Sequence, residues 1–192
     1  MSNTKFAVWS PKGGAGTTVT TAGLAVLLAN EGIETLAVGE ADLQRALGLP
    51  PFSENEDSFV PAGERLNFSF STSPLDTPGL VIDAGCDPRD WTESIPDIRP
   101  VLVMRLCYLT IQAVLDYGQL PENTVIVNIS EPGRALRLSD VEAVFHDRVS
   151  YIIDLPHDPA IARSIDAGLI IHRCPKGLDQ LKRLFEEDNN DQ

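Results

Sequence analysis

Residues Val8–Ala29 read VWSPKGGAGTTVTTAGLAVLLA, and the fold turns on how that run is parsed. It begins as the end of an apolar strand, passes through Gly13, Gly14 and Gly16, and enters a helical pattern at Thr18. A glycine turn of this kind lets backbone N–H groups point inward around an anion, and the following helix adds the positive end of its dipole. That is how a phosphate-binding loop is built. The general pattern is G-x-x-x-x-G-K-[ST]. Pro11 stands where its first glycine belongs and Thr17 where its lysine belongs, while Thr18 keeps the hydroxyl that ligates Mg²⁺ in such loops. A tight strand-to-helix connection with no ligand is the competing reading of the same glycines.

Downstream of the loop, Val19, Ala22, Gly23, Val26 and Leu27 follow helical spacing, but Leu24, Ala25 and Leu28 are apolar too. A helix apolar nearly all round is expected to be deeply buried. Further along, strands are predicted at Lys5–Ser10, Thr35–Gly39, Leu66–Thr72, Gly79–Ala84, Pro100–Leu106, Thr124–Ile129 and Ser150–Leu155. Most are continuous apolar runs, such as LVIDAG and VLVMRL, which is the mark of strands covered on both faces of a parallel sheet. Helices are predicted between them at Thr18–Glu31, Leu43–Leu47, Thr110–Tyr117, Leu138–Phe145, Pro159–Ala167 and Gly177–Glu187. The alternation predicts an α/β fold, a doubly wound and mainly parallel sheet flanked by helices. Pro50–Glu64 is acidic and proline-bearing and reads as a loop. One domain over residues 1–188 is expected, with 189–192 a disordered tail.

The 192 residues carry 15 Lys and Arg against 28 Asp and Glu, a net charge of −13. That balance argues against broad contact with nucleic acid or anionic lipid. Arg134, Arg137, Arg148 and Arg163 are the candidates for a local basic patch, and scattered solvated arginines are the alternative. Cys86, Cys107 and Cys174 are far apart and odd in number, which suits a reducing cytoplasm. No signal pattern opens the chain, and no run reaches the roughly eighteen apolar residues that span a membrane. Leu178, Leu181, Leu184 and Phe185 form a C-terminal apolar stripe, but the polar side carries too many acids for a membrane-surface helix. Packing on the sheet is the expected role. His146, His157 and His172 do not form a metal set.

Several segments together resemble one family. KGGAGTT is similar to the deviant Walker A motif of the ParA/MinD superfamily of SIMIBI-class P-loop proteins, usually K-G-G-x-G-K-[ST]. In that family the lysine before the two glycines, here Lys12, reaches across a nucleotide-sandwich dimer to the partner's phosphates. Loss of the loop lysine resembles the TadZ/CpaE-like branch, whose members help place pili or other machinery in the cell. GEADLQRAL resembles the D-x-D-x-Q stretch, with Asp42 at the second aspartate, Glu40 replacing the first, and Gln44 at the glutamine. GLVIDAG resembles the Walker B strand, with Asp83 near Mg²⁺. Asn128 matches the asparagine that meets adenine, and LPHDPAIARSIDAG matches the segment running past the base.

The resemblance implies Lys12, Gly13, Gly14, Ala15, Gly16, Thr17, Thr18, Asn128, Pro156, His157 and Asp158 as nucleotide contacts. It implies Thr18, Asp42 and Asp83 around Mg²⁺, with Asp42 and Lys12 as catalytic groups. Taken singly, Asp42 suits a helix N-cap, Asp83 a strand-end cap and Asn128 a turn. The cofactors implied are ATP and Mg²⁺. A lost charge-assisted hydrogen bond of roughly 1.5–3 kcal/mol predicts binding weakened about ten- to a hundredfold. Hydrolysis suffers more, leaving at most a weak ATPase. The expected protein is a cytoplasmic homodimer acting as a positional scaffold or switch for an unidentified protein partner. An active partition or septum-placement ATPase and a nucleotide-free interaction module are the alternatives.

Overall fold

The computed structural model describes residues 4–51, 59–71 and 77–186. Eight strands form one sheet: β1 (Lys5–Trp9), β2 (Thr35–Val38), β3 (Val60–Pro61), β4 (Leu66–Ser69), β5 (Gly79–Asp83), β6 (Arg99–Arg105), β7 (Val125–Ser130) and β8 (Ile152–Pro156). Their spatial order is β3-β4-β2-β5-β1-β6-β7-β8. Every pairing is parallel except that of β3 with β4. The helices are α1 (Thr17–Asn30), α2 (Ala41–Ala46), α3 (Arg89–Ser94), α4 (Tyr108–Tyr117), α5 (Leu138–Phe145), α6 (Pro159–Asp166) and α7 (Arg183–Glu186), with a 3₁₀ segment at Lys176–Lys182.

Both faces of the sheet are covered, which accounts for the continuous apolar runs. Phe6, Val8, Val81, Val101, Val103, Val125 and Val127 pack with α1, α2, α6 and the C-terminal segment. Trp9, Leu102, Met104 and Ile126 point the other way, onto α4 and α5. Ala7, Leu36 and Ile82 meet the α3 region on that second face. From Thr20 to Leu28 every residue of α1 is buried, as its all-round apolar pattern requires. The C-terminal stripe is also buried: Leu178, Leu181 and Leu184 are fully enclosed among α1 and the sheet.

Three readings are corrected. The expected C-terminal helix is mostly 3₁₀, with only Arg183–Glu186 in α-helix. The expected Pro50–Glu64 loop contains an edge strand, β3, whose Val60 and Pro61 pair with Phe68 and Asn67. Between Asp83 and β6 lies a helix, α3, that the sequence pattern does not predict. Residues 52–58 of the loop and the 189–192 tail lie outside the described residues. Among the described residues no helix is long and apolar enough to cross a membrane.

Candidate functional site

β1 is central, with β5 on one side and β6 on the other, so the chain leaves its carboxyl end where the strand order reverses. Ligands of open α/β sheets sit at such points. The turn there runs from Ser10 to Gly16. Gly14 has φ +77° and Gly16 φ +107°, and Gly16 is the residue that caps α1. A side chain at Gly16 would be strained in that backbone, and its Cβ would lie 2.7 Å from Ile129 Cδ1. The loop is thus pressed against the end of β7.

Beside the loop is a crevice of about 840 Å³, lined by Ser10, Lys12, Thr18, Asp42, Asp83 and Cys86 among others. At its floor Thr18 Oγ1 donates to Asp83 Oδ2 at 2.7 Å. This hydroxyl–carboxylate pair is brought together from the first turn of α1 and the end of β5, 65 residues apart in sequence. Lys12 makes no ion pair with another described residue, and its backbone N–H donates to Ser10 Oγ at 3.4 Å. Glu40, not Asp42, holds the N-cap position of α2, without a side-chain capping bond, and Asp42 lies in the first turn. Asp42 lines the crevice, but its carboxylate is paired with Arg45 at 2.8 Å and is largely exposed.

Partial burial raises the Asp83 carboxyl above the usual carboxylate range. The Thr18 hydroxyl and the Gly85 N–H oppose that rise, and the Asp42 charge adds to it. A raised folded pKa means that the folded chain holds this proton more tightly than the unfolded chain. Stability therefore falls as pH climbs from the ordinary carboxylate value through the raised one, and the penalty is complete above it. Asp83→Asn removes the charge and keeps an acceptor for Thr18. Its melting temperature at pH 7 should exceed the parent's, by about 2–4 °C for each kcal/mol relieved. Thermal melts at pH 7 and near pH 4 check this; a gain that does not shrink at low pH would contradict it.

On the far side of the loop Asn128 is fully buried in β7, not in a turn. Its amide donates to Asp154 Oδ1 at 2.6 Å and to Ser130 Oγ at 3.1 Å, and its Oδ1 has no partner among the described residues. Pro156 ends β8, and the N–H of His157 donates to the Ser130 carbonyl at 2.8 Å. Asp158 accepts from Ala160 N–H at 2.8 Å and so caps α6. Asn128 and the Pro156–Asp158 turn are therefore tied together through Ser130, as neighbours on one wall.

Sequence reasoning missed two groupings. Glu131 is bracketed by Arg105, at 3.0 Å, and by Arg134. The Arg134 bond, outweighing burial and helped by the nearby positive charges, holds the Glu131 carboxyl below its usual range. Past Asp83, Tyr117 donates to Asp87 at 2.7 Å while Arg89 grips the same carboxylate and lies over the Tyr117 ring. Burial and the Asp87 bond push the Tyr117 hydroxyl up to about 12. These contacts fasten the segment after β5 to α4. Only a charged residue at a strand end hints at either grouping in sequence. The four arginines weighed as a basic patch are dispersed: Arg134 is held by Glu131, Arg137 caps α5, Arg148 reaches the Gly118 carbonyl, and Arg163 is on α6.

No protein-family model matches the sequence, and no curated protein matches it. Solved structures do. MinD of Aquifex aeolicus aligns over 94% of this chain and 96% of its own, with TM-score 0.69 and 15% identity. A ParA family ATPase from Chlorobium tepidum aligns over 95% and 98%, with TM-score 0.65 and 16% identity. A plasmid partition protein of Borrelia burgdorferi bound to AMPPNP aligns over 94% and 97%, with TM-score 0.68 and 11% identity. The chain has the MinD/ParA fold.

Among the described residues no three His, Cys, Asp or Glu side chains are grouped to hold a metal. Thr18 and Asp83 bring two oxygens together, so a divalent cation held by them would need further oxygens from a ligand or water.

Proposed function

We propose that the chain binds Mg-ATP at the glycine loop, hydrolyses it slowly or not at all, and uses the bound state to form a dimer. The observation that carries this reading is the Thr18–Asp83 pair under a loop in which Gly14 and Gly16 occupy left-handed backbone. Glycine adopts that backbone without strain, and it frees the neighbouring N–H groups to turn toward an anion. The crevice beside it is open, and a relic filled by side chains would leave no such space. Asn128 supports the same reading, since its buried and unpaired Oδ1 suits an amino group of a base.

In this reading Lys12, Gly13, Gly14, Ala15, Gly16, Thr17 and Thr18 surround the phosphates. Thr18 and Asp83 hold Mg²⁺, with Asp42 turning in from Arg45. Pro156, His157 and Asp158 flank the base. The dimer serves as a positional scaffold or switch for another protein, with pilus localisation the specific role suggested by the missing lysine. MinD of Aquifex aeolicus has also been solved in complex with MinC, and docking of a separate protein is the kind of output proposed here.

Isothermal titration with Mg-ATP should give measurable binding that fades when Mg²⁺ is omitted. Turnover should stay far below the ~1 s⁻¹ at which typical enzymes begin. Mg-ATP should also move the chain from monomer to dimer in sedimentation, and Lys12→Ala should block that shift. No heat at millimolar Mg-ATP overturns the proposal in favour of a nucleotide-free module. Brisk turnover stimulated by DNA or lipid makes the protein an active partition or septum-placement ATPase instead.

A further inference from the structure

We infer that Tyr108 and Leu109, at the start of α4, form an apolar seam that a second copy of this chain covers when nucleotide is bound; this rests on the nucleotide and dimer reading above. Tyr108 is 67% exposed and Leu109 65%, and Leu115, two turns along α4 on the side of Tyr108, is 38% exposed. The other side of α4 is already used: Thr110, Ile111 and Val114 are buried, and Ile111 and Val114 pack with Trp9 and Leu102. Large apolar side chains left open side by side on an anchored helix mark an interaction surface. Their place follows from the sheet. β6 runs parallel to β1, with Leu102 opposite Trp9, so both strands end at the same edge. There β1 passes into the glycine loop and β6 into Cys107 and α4. Burial opposes ionisation of the Cys107 thiol, the Thr110 hydroxyl and N–H favour it, and the charges of Lys12 and Arg134 add to them. Lys12 therefore stands between the crevice, which it lines, and the residue before Tyr108. It is also the residue proposed to cross to the partner, so the seam lies beside the crossing point.

A second copy fits this surface better than another occupant. Residues 107–115, CYLTIQAVL, carry no charge, whereas the whole chain carries −13. Two such chains repel across their acidic surfaces and can meet only where charge is absent or positive. The start of α4, uncharged and with Lys12 and Arg134 nearby, is such a place. An anionic lipid surface would be repelled by the rest of the chain, and a membrane-binding helix is basic where α4 is neutral. Size matters too. A stable interface buries about 800 Å² on each partner, far more than three partly exposed side chains offer. The seam alone is too small to hold a dimer, and phosphates shared with the partner's loop must complete it. Association is then conditional on nucleotide, which is what a switch requires.

The test is sedimentation velocity of the full chain with Mg-ATP, comparing the parent with Tyr108→Gln/Leu109→Gln and with Tyr108→Phe/Leu109→Met. Glutamine keeps helix propensity and removes the apolar contact, whereas phenylalanine and methionine keep the contact. The glutamine pair should weaken Mg-ATP-dependent dimerisation by at least about tenfold, since buried aromatic anchors dominate interface energy. The Phe/Met pair should dimerise like the parent. Mg-ATP affinity of dilute, monomeric protein should stay within about twofold in both variants, because neither side chain lines the crevice. Both positions are largely exposed, so the fold should persist, and Leu109→Gln alone carries the test if the double variant does not fold. Dimerisation of the glutamine variant at the parent's strength overturns the inference and gives the patch to a different occupant. An equal loss in the Phe/Met pair also overturns it. A parent chain that binds Mg-ATP but stays monomeric overturns the dimer reading together with the seam, and one that binds no Mg-ATP overturns the nucleotide reading itself.

Discussion

Thr17→Lys should tighten Mg-ATP binding by about ten- to a hundredfold, the largest functional change expected of any single substitution in this chain. Thr17 is the first residue of α1 and lines the crevice, so a lysine there can extend its ammonium into that space. Among the described residues the lining acids are Glu40, Asp42 and Asp83, against Lys12 as the only lining base. A second cation changes that balance and strengthens attraction for a polyphosphate throughout the crevice. Turnover should rise as well, because charge develops on the transferred phosphoryl group and a fixed ammonium neutralises it. The fold should be unaffected: among the described residues the Thr17 side chain makes no hydrogen bond, and its backbone carbonyl, which accepts from the Thr21 hydroxyl at 2.9 Å, is kept in the variant. Calorimetry of parent and variant with Mg-ATP decides the matter. Equal affinities would mean that phosphate does not sit over Thr17, and the site would have to be redrawn.

How much of this was legible in sequence depends on how local each signal is. The strands were legible because burial on both faces leaves an uninterrupted apolar run, and β5 to β8 fall within two residues of the expected bounds. α1 was legible for the same reason. α3 was not, since none of its six residues is buried and a helix without a buried face leaves no periodicity to read. β3 was hidden by its two-residue length and by Pro61 at the sheet edge. The C-terminal stripe gave the correct packing with the wrong helix type. Leu178, Leu181 and Leu184 recur every third residue, which is the 3₁₀ period, and three such positions also pass for part of an α-helical stripe.

The candidate site divides in the same way. The glycine loop and Thr18 are contiguous, so they could be read directly. Asp83 is identifiable as a strand-end carboxylate, although its bond to Thr18 needs the parallel register of β1 with β5. The Arg105–Glu131–Arg134 cluster has no sequence signature. It exists only because β6 and β7 end side by side, with Arg105 opposite Ile129. Asn128 was found by resemblance, yet its orientation is set by Asp154, a residue that no motif marks.

Gly48→Ala should destabilise the fold by about 3 kcal/mol, lowering the melting temperature by roughly 6–12 °C. Gly48 follows α2 with φ +70°, and its N–H donates to the Arg45 carbonyl at 2.9 Å. Gly168 follows α6 with φ +64°, and its N–H donates to the Ile165 carbonyl at 2.9 Å. The two helix ends meet back to back. A Cβ on Gly48 would overlap the Gly168 carbonyl oxygen and come within 2.9 Å of its carbon. Left-handed backbone costs alanine about 1–2 kcal/mol, and displacing a packed backbone adds a comparable amount. Gly32 separates the two effects: its φ is +84° after α1, with open space where a Cβ would go. Gly32→Ala should therefore lose only the conformational part, about 2–4 °C per kcal/mol. The difference between the two melts measures the contact, and identical melts would refute it. The contact matters beyond stability because α2 carries Asp42 and Leu43 along the crevice wall. Pushing α2 away from α6 moves that wall, so Gly48→Ala should weaken Mg-ATP binding at temperatures where the chain is still folded, whereas Gly32→Ala, at the opposite end of α1 from the loop, should leave it intact.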